Sequence, residues 1–337
     1  MNRKIIIGAI IFVAAIIASA CYVVFAPMAQ SKETQYIYID NDDTIDSVYT
    51  KVGKHSKSFA FETFKAIAGQ LNYANGIRTG RYALDADMGP LQMVRRLRNG
   101  QQDPVSLTVP SVRTIDRLAH EVGKRLLLDE KELLAALQDQ ETCKKYGLDT
   151  LTITCLFIPN TYDIYWNISV EGFLDRMNKE TENFWTPERL GKAKEAGMTE
   201  CEVITLASIV DEETANDGEK PMIAGMYINR LKTNMPLQAD PTVKYAWKDF
   251  GLKRIYNKLL SIDSPFNTYR NTGLPPGPIR IPSVAGIDAV LNHVHHNYIY
   301  MCAKEDFSGT HNFAVTYAEH LKNAAKYSAA LNARGIK

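Results

Sequence analysis

The sequence predicts an α+β protein made of an N-terminal transmembrane helix, a small mixed module and a larger mixed helix-and-strand domain. Three observations carry that expectation. Residues 5–25 form an uncharged apolar run. Residues 36–110 alternate between short strand-like and helix-like periods. From Ser111 onward, helical patterns are broken by loops rich in proline and glycine. At 337 residues the chain is long for one core. The expected division is 1–4 cytoplasmic, 5–25 anchor, 26–35 linker, 36–110 module, 111–195 helical connecting region and 196–337 functional domain.

The run from Ile5 to Phe25 follows Arg3 and Lys4 and is long enough to cross about 30 Å of hydrocarbon as a helix. The positive flank keeps the N-terminus cytoplasmic and places the rest of a single-pass protein on the far side of the inner membrane. A cleavable signal peptide is the competing reading. Ala18, Ser19, Ala20 and Cys21 hint at a lipid-attachment site, although Ala18 stands where a larger aliphatic residue is usual.

Charge and motifs narrow the function classes. The 39 basic and 38 acidic residues leave a formal charge of +1. No basic stripe interleaved with aromatics is present, no phosphate-cradling glycine loop and no Cys-x-x-Cys pair, so no nucleic-acid partner, cofactor or zinc is expected. Cys21, Cys143, Cys155, Cys201 and Cys302 follow no framework spacing. Cys143 and Cys155 are candidates to pair in an oxidising compartment, but free buried thiols are the expectation.

In the module, Tyr36 to Asp40 alternates like a strand, and the Asn41 to Thr44 turn caps a helix running to about Val52. A helix from about Ala60 to Gly69, a strand from Gly80 to Leu84, a helix from Pro90 to Leu97 and a strand from Val105 to Val109 follow. The strand, helix, helix, strand order resembles a LysM domain, which implies binding of N-acetylglucosamine-containing glycans; a structural spacer is the other reading.

Ser111 to Leu137 favours helices, with Ser111 or Thr114 as cap. Phe157 to Tyr162 reads as a turn-like break before a helix from about Ser169 to Phe184. A helix beginning near Thr199 then runs into LASIVDEETAN, Leu206 to Asn216, where Asp211, Glu212 and Glu213 directly follow an apolar run. At helical spacing Glu213 sits on the shoulder of the apolar face, three and four positions after Val210 and Ile209, while Glu212 points toward solvent. A carboxyl held against apolar surface keeps its proton to higher pH, as a general acid must. The plainer alternative is a helix whose acids begin its solvated half.

Further residues are candidates for recognition. A helix from about Lys220 to Leu231 ends in Asn229 and Arg230, an amide and a guanidinium suited to hydroxyls and carboxylates, although an arginine there also simply complements the helix dipole. Met235 to Tyr245 reads as a Pro-interrupted loop carrying Gln238, Asp240, Thr242 and Tyr245. Asn267, Thr268 and Tyr269, and the stiffened loop from Asn271 to Pro282, suit a sugar: hydroxyls demand directional hydrogen bonds, and tyrosine stacks on a pyranose. His293, His295 and His296 lack a ligand-like acid or cysteine and are read as a helix-to-strand turn rather than a metal site. His311, in a short polar strand, is the better site candidate.

The ordered blocks LASIVDEET, INRL, LQADPTVKYA, SPFNTY, TGLPPGPI and THNF make the chain similar to the endolytic murein transglycosylases of the MltG, or YceG-like, family. FIPNTY at Phe157 to Tyr162 also resembles a family turn, with Asn160 where aspartate is usual. The resemblance implies that the second acid of an E-x-E pattern, here Glu213, is the catalytic acid, Asp211 replacing the first. It further implies cleavage of the bond between N-acetylmuramic acid and N-acetylglucosamine with formation of a 1,6-anhydro end, next to membrane-bound peptidoglycan synthases. Substrate positioning is expected from Asn229, Arg230, Gln238, Asp240, Thr242, Asn267, Tyr269 and His311. A hydrolytic muramidase and a non-catalytic peptidoglycan-binding scaffold are the competing functions.

Overall fold

A computed structural model of the chain describes residues 3–252 and 255–335. It has mixed helix and strand content and resolves into two compact units. The first comprises Met1–Leu107 with Gly123–Leu128 and Tyr162–Ser169; the second comprises Thr108–Val122, Asp129–Thr161 and Val170–Lys337.

The first unit begins with the Arg3–Phe25 helix, whose 23 residues are all unburied. At 1.5 Å per residue it is long and apolar enough to cross a hydrocarbon core. Residues 26–35 are tied down: Met28 and Ala29 are buried, and the Met28 amide donates to the Met88 carbonyl at 2.9 Å. Strands Gln35–Ile39 and Gly80–Leu84 pair antiparallel, with Gln35 opposite Leu84 and Ile39 opposite Gly80. Between them run helices Ile45–Gly53, capped by Thr44, and Ser58–Gln70. Alternation in the first strand buries Ile37 and Ile39, which join Val48, Val52, Phe64, Tyr82, Met93 and Leu97 in one core.

The second unit is organised around the Glu200–Glu213 helix. Thr199 caps it in a reciprocal arrangement with Glu202, satisfying two amides that the helix start leaves unpaired. Every residue from Val203 to Val210 is buried, so the helix is central and has no solvated face along that stretch. It packs against Lys220–Lys232 and Val284–Leu291 in a core that includes Leu206, Ile209, Val210, Ile223, Tyr227, Ile287 and Val290. A hairpin of Tyr300–Ala303 and His311–Ala314 and the Tyr317–Ala333 helix complete the chain.

Several expectations are corrected. Cys155 pairs with Cys201, not with Cys143, with Cα atoms 5.6 Å apart, while Cys143 is a buried free thiol; packing across 46 positions set that pairing, which spacing alone does not reveal. The turn at Phe157 ends sooner than expected, because Asn160–Ile164 is a strand paired with Val105–Val109. The stretch from Met235 to Tyr245 is a loop only as far as Ala239. Asp240–Trp247 is a helix in which Pro241 sits in the first turn, where its missing N–H costs nothing and its fixed φ is already helical.

Candidate active site

The three acids at the end of the Glu200–Glu213 helix meet three different environments. Asp211, with a side chain 3% exposed, bonds Lys220 Nζ at 2.8 Å and accepts from the Ser283 amide at 2.5 Å and the Ser283 hydroxyl at 3.0 Å. Burial works against the Lys220 charge, but the bonds to Asp211 and Asp217 win and hold its pKa above the ordinary lysine value. Glu212 does not point into solvent. Its side chain is 12% exposed and accepts from Arg113 at 2.7 and 2.8 Å and from Arg280 at 2.8 Å. A helix buried over its middle leaves Glu212 only a sliver of solvent, so its charge needs cations.

Glu213 has no cation in contact among the described residues. Its carboxyl lines a cavity of about 230 Å³ formed with Met226, Tyr227, Arg230, Gln238, Asp240, Tyr269, the hairpin residues Met301, Cys302 and Ala303, and His311. Oε1 accepts a hydrogen bond from the Tyr227 hydroxyl at 2.6 Å. Burial pushes the pKa of Glu213 above the usual carboxylate value; the Tyr227 bond pulls it back, Asp240 adds to the rise, and His311 and Arg230 oppose it. A sheltered acid that keeps its proton beyond the usual range, beside an open space, has the chemistry a proton donor needs.

The rest of the cavity wall is built from paired groups. The Tyr269 hydroxyl donates to Asp240 Oδ1 at 2.6 Å, and burial together with that bond raises the pKa of the phenol. Glu219, 8% exposed, accepts from the His311 backbone amide at 2.6 Å and stands 3.1 Å from His311 Nδ1, which fixes the imidazole ring. Arg230 is anchored by Nε to the Ile299 carbonyl and by Nη1 to the Leu237 carbonyl, both at 2.6 Å. Gln238 reaches the cavity from a left-handed backbone with φ of 48°, held by its amide bond to the Thr268 carbonyl.

Of the residues proposed from the sequence, the structure thus brings together Glu213, Arg230, Gln238, Asp240, Tyr269 and His311. It does not bring Asn229, Thr242 or Asn267 to the cavity. The Asn229 amide donates to the carbonyls of His296 and Tyr298 at 2.6 and 3.0 Å, fixing the turn before the hairpin. Thr242 is fully buried, donating to the Ala239 carbonyl and paired with Thr268. Asn267 is also fully buried and closes its own loop through the carbonyls of Leu260 and Ile262. Sequence reasoning missed Tyr227, Glu219 and the hairpin wall. Helical spacing offered a signal for Tyr227, three positions before Arg230 and hence on the same face; nothing local marks Glu219.

A larger cleft of about 740 Å³ lies at the other end of the same helix, lined by Leu148, Trp185, Met198, Glu200 and neighbours. Its acids Glu182, Glu200 and Glu202 are all exposed, so it offers no comparable donor.

Comparisons with known proteins place the chain in a family. An endolytic murein transglycosylase of Bacillus subtilis is 29% identical over 323 residues, covering 90% of this chain and 87% of the relative. One of Streptococcus pneumoniae serotype 2 is 28% identical over 334 residues, covering 89% of this chain but 59% of the longer relative. The crystal structure of a yceG-like protein from Listeria monocytogenes superposes with a TM-score of 0.55 at 28% identity, over 87% of this chain and 99% of that one. The sequence model of the YceG-like family matches residues 37–326, a span that contains every wall of the cavity around Glu213, and the chain belongs to that family.

Proposed function

We propose that the chain is a lytic murein transglycosylase that cleaves the bond between N-acetylmuramic acid and N-acetylglucosamine within peptidoglycan strands, with Glu213 as its general acid. The carrying observation is that Glu213, alone among the three acids ending its helix, faces a cavity with no cation in contact and is held by a phenol. The names of the relatives, endolytic murein transglycosylases, support the substrate class.

The protonated carboxyl gives its proton to the glycosidic oxygen as the C1–O bond breaks and an oxocarbenium-like centre develops. The resulting carboxylate then removes the proton of the muramyl C6 hydroxyl as that oxygen bonds to C1, leaving a 1,6-anhydro end and regenerating the acid. General acid catalysis supplies roughly 10² to 10⁴ in rate. Positioning and charge stabilisation must supply the remainder, work we assign to Arg230, Gln238, Asp240, Tyr269 and His311. Asn229, Thr242 and Asn267 support that wall from behind.

The Arg3–Phe25 helix supports single-pass anchoring in the cytoplasmic membrane, with the functional domain on the far side. An anchored site reaches glycan close to the bilayer, where new strands are polymerised, so nascent strands are the proposed substrate and the synthases that make them the proposed neighbours. The strand, helix, helix, strand order of the first unit supports reading residues 36–110 as a LysM-like glycan-binding module.

Hydrolysis by a muramidase remains a second reading because Asp240 places another carboxyl in the same cavity. Mass spectrometry of glycan digested by the full chain separates the two: anhydro-muramyl ends are expected, and water-terminated ends alone would refute the transglycosylase. Full cleavage by Glu213→Gln would remove the acid assignment, and no cleavage by the native chain would overturn the enzymatic reading.

A further inference from the structure

Taking the general-acid reading of Glu213 as its basis, we infer that Tyr227 is a positioning residue for glycan cleavage: its hydroxyl holds Oε1 of Glu213 as an acceptor, so that Oε2 carries the reacting proton. Tyr227 lies inside the Lys220–Lys232 helix and is 1% exposed. Its single hydroxyl proton is directed at Oε1 over 2.6 Å, and it is the only side chain hydrogen-bonded to Glu213 among the described residues. A neutral carboxylic acid has one donor oxygen and one acceptor oxygen. If the proton sat on Oε1, the hydroxyl of a tyrosine that is only 1% exposed would lose its acceptor, a costly arrangement for a buried donor. The bond therefore selects one protonation isomer and one carboxyl orientation before substrate arrives.

The same contact keeps the acid usable as a base in the second half of the reaction. Five other groups face Glu213 or its neighbours. Asp240, with Tyr269, comes from the Asp240–Trp247 helix and the loop beside it. His311 comes from the hairpin and its partner Glu219 from the residue before the Lys220–Lys232 helix, and Arg230 from the helix that carries Tyr227. Burial and Asp240 drive the carboxyl toward its neutral form, whereas Tyr227, His311 and Arg230 favour the anion. Arg230 is committed to two backbone carbonyls. Tyr227 is thus the contact that can follow the carboxyl through its change of charge, its bond strengthening as the carboxylate forms.

The test is the pH dependence of glycan cleavage by the full chain carrying Tyr227, Tyr227→Phe, or 3,5-difluorotyrosine at 227, a stronger donor of similar size, with Glu213→Gln as the reference for lost acid chemistry. Tyr227→Phe should lower kcat roughly ten- to a hundredfold, the scale of one hydrogen bond to a charged group, with KM changed by no more than about twofold. Its alkaline limb, where Glu213 loses its proton, should move to higher pH, and that of the difluorotyrosine chain to lower pH. Limbs that stay in place, or a loss confined to KM, would overturn the inference while leaving the acid role of Glu213 intact. Full activity of Glu213→Gln would instead remove the acid assignment and this inference with it. Should Tyr227→Phe fail to fold, the difluorotyrosine chain decides by the same criterion.

Discussion

Behind the end of the Glu200–Glu213 helix, Asp211 and Glu212 are locked by Lys220, Arg113 and Arg280; in front of it, one residue later, Glu213 is given a phenol and an open cavity. The same carboxyl chemistry serves opposite ends. Behind the helix, cations neutralise the acids, and bonds to Ser283 and Ser111 fasten their segments to it. In front, burial with no cation in contact among the described residues makes the charge of Glu213 costly, so its proton is held to higher pH. The lesson is that role follows from the partner supplied by the fold, since the three acids are consecutive in the chain.

The contrast can be broken most sharply at Glu213. Glu213→Gln is expected to lower kcat by about 10² to 10⁴ without lowering the melting temperature. Because the folded pKa of Glu213 lies above its unfolded value, the folded state holds the proton more tightly, and stability is lost as pH rises from the unfolded toward the folded pKa. The glutamine variant escapes that loss. Its melting temperature should exceed that of the wild type at neutral pH, with the gap closing as the buffer is taken below the ordinary carboxylate range. A variant that melts lower at neutral pH would show that the Glu213 charge is welcome in the fold.

The rear side should behave in the opposite sense. Lys220→Met leaves Asp211 buried without its cation and should cost about 3–5 kcal/mol of unfolding free energy, read by urea denaturation; a loss under about 1 kcal/mol would mean that Ser283 alone suffices. Gly286 sharpens the same point by geometry. A Cβ there would lie 2.5 Å from Asp211 Oδ1, so Gly286→Ala must displace the carboxylate from Ser283 and should cost about 1–3 kcal/mol. Unchanged denaturation would mean that the turn yields freely. The smallest effect is expected at Arg113, whose side chain is 45% exposed and whose partner Glu212 retains Arg280. Arg113→Ala should cost less than about 1 kcal/mol, a figure that a salt titration of stability can check.

Much of this arrangement was legible in the sequence. Helical spacing alone puts Glu213 beside apolar surface, the turn ending in Thr44 reads as a cap, a helix start is legible near Thr199, and the strand and helix periods of residues 36–99 match the elements observed. These are local properties: side-chain period, cap chemistry and apolar runs act over a few residues and need no distant partner. Local reading stops where one side chain has two uses. Asn229 and Asn267 look like recognition amides, yet the fold spends both on loop carbonyls, because a buried carbonyl without a donor costs as much as a lost hydrogen bond. The proline at 241 looked like a loop former and instead starts a helix.

The sequence by itself thus determined the apolar N-terminal helix, the order of elements over residues 36–99 and the place of Glu213 beside apolar surface. Only the tertiary structure decided that Glu212 is paired rather than solvated, that Cys155 meets Cys201, that Tyr227 rather than a cation touches Glu213, and that Glu219 orients His311 across 92 positions. The physical reason is that a side chain's charge state and orientation depend on what is packed within a few ångströms of it. For those residues the neighbours come from distant parts of the chain, which no local period encodes.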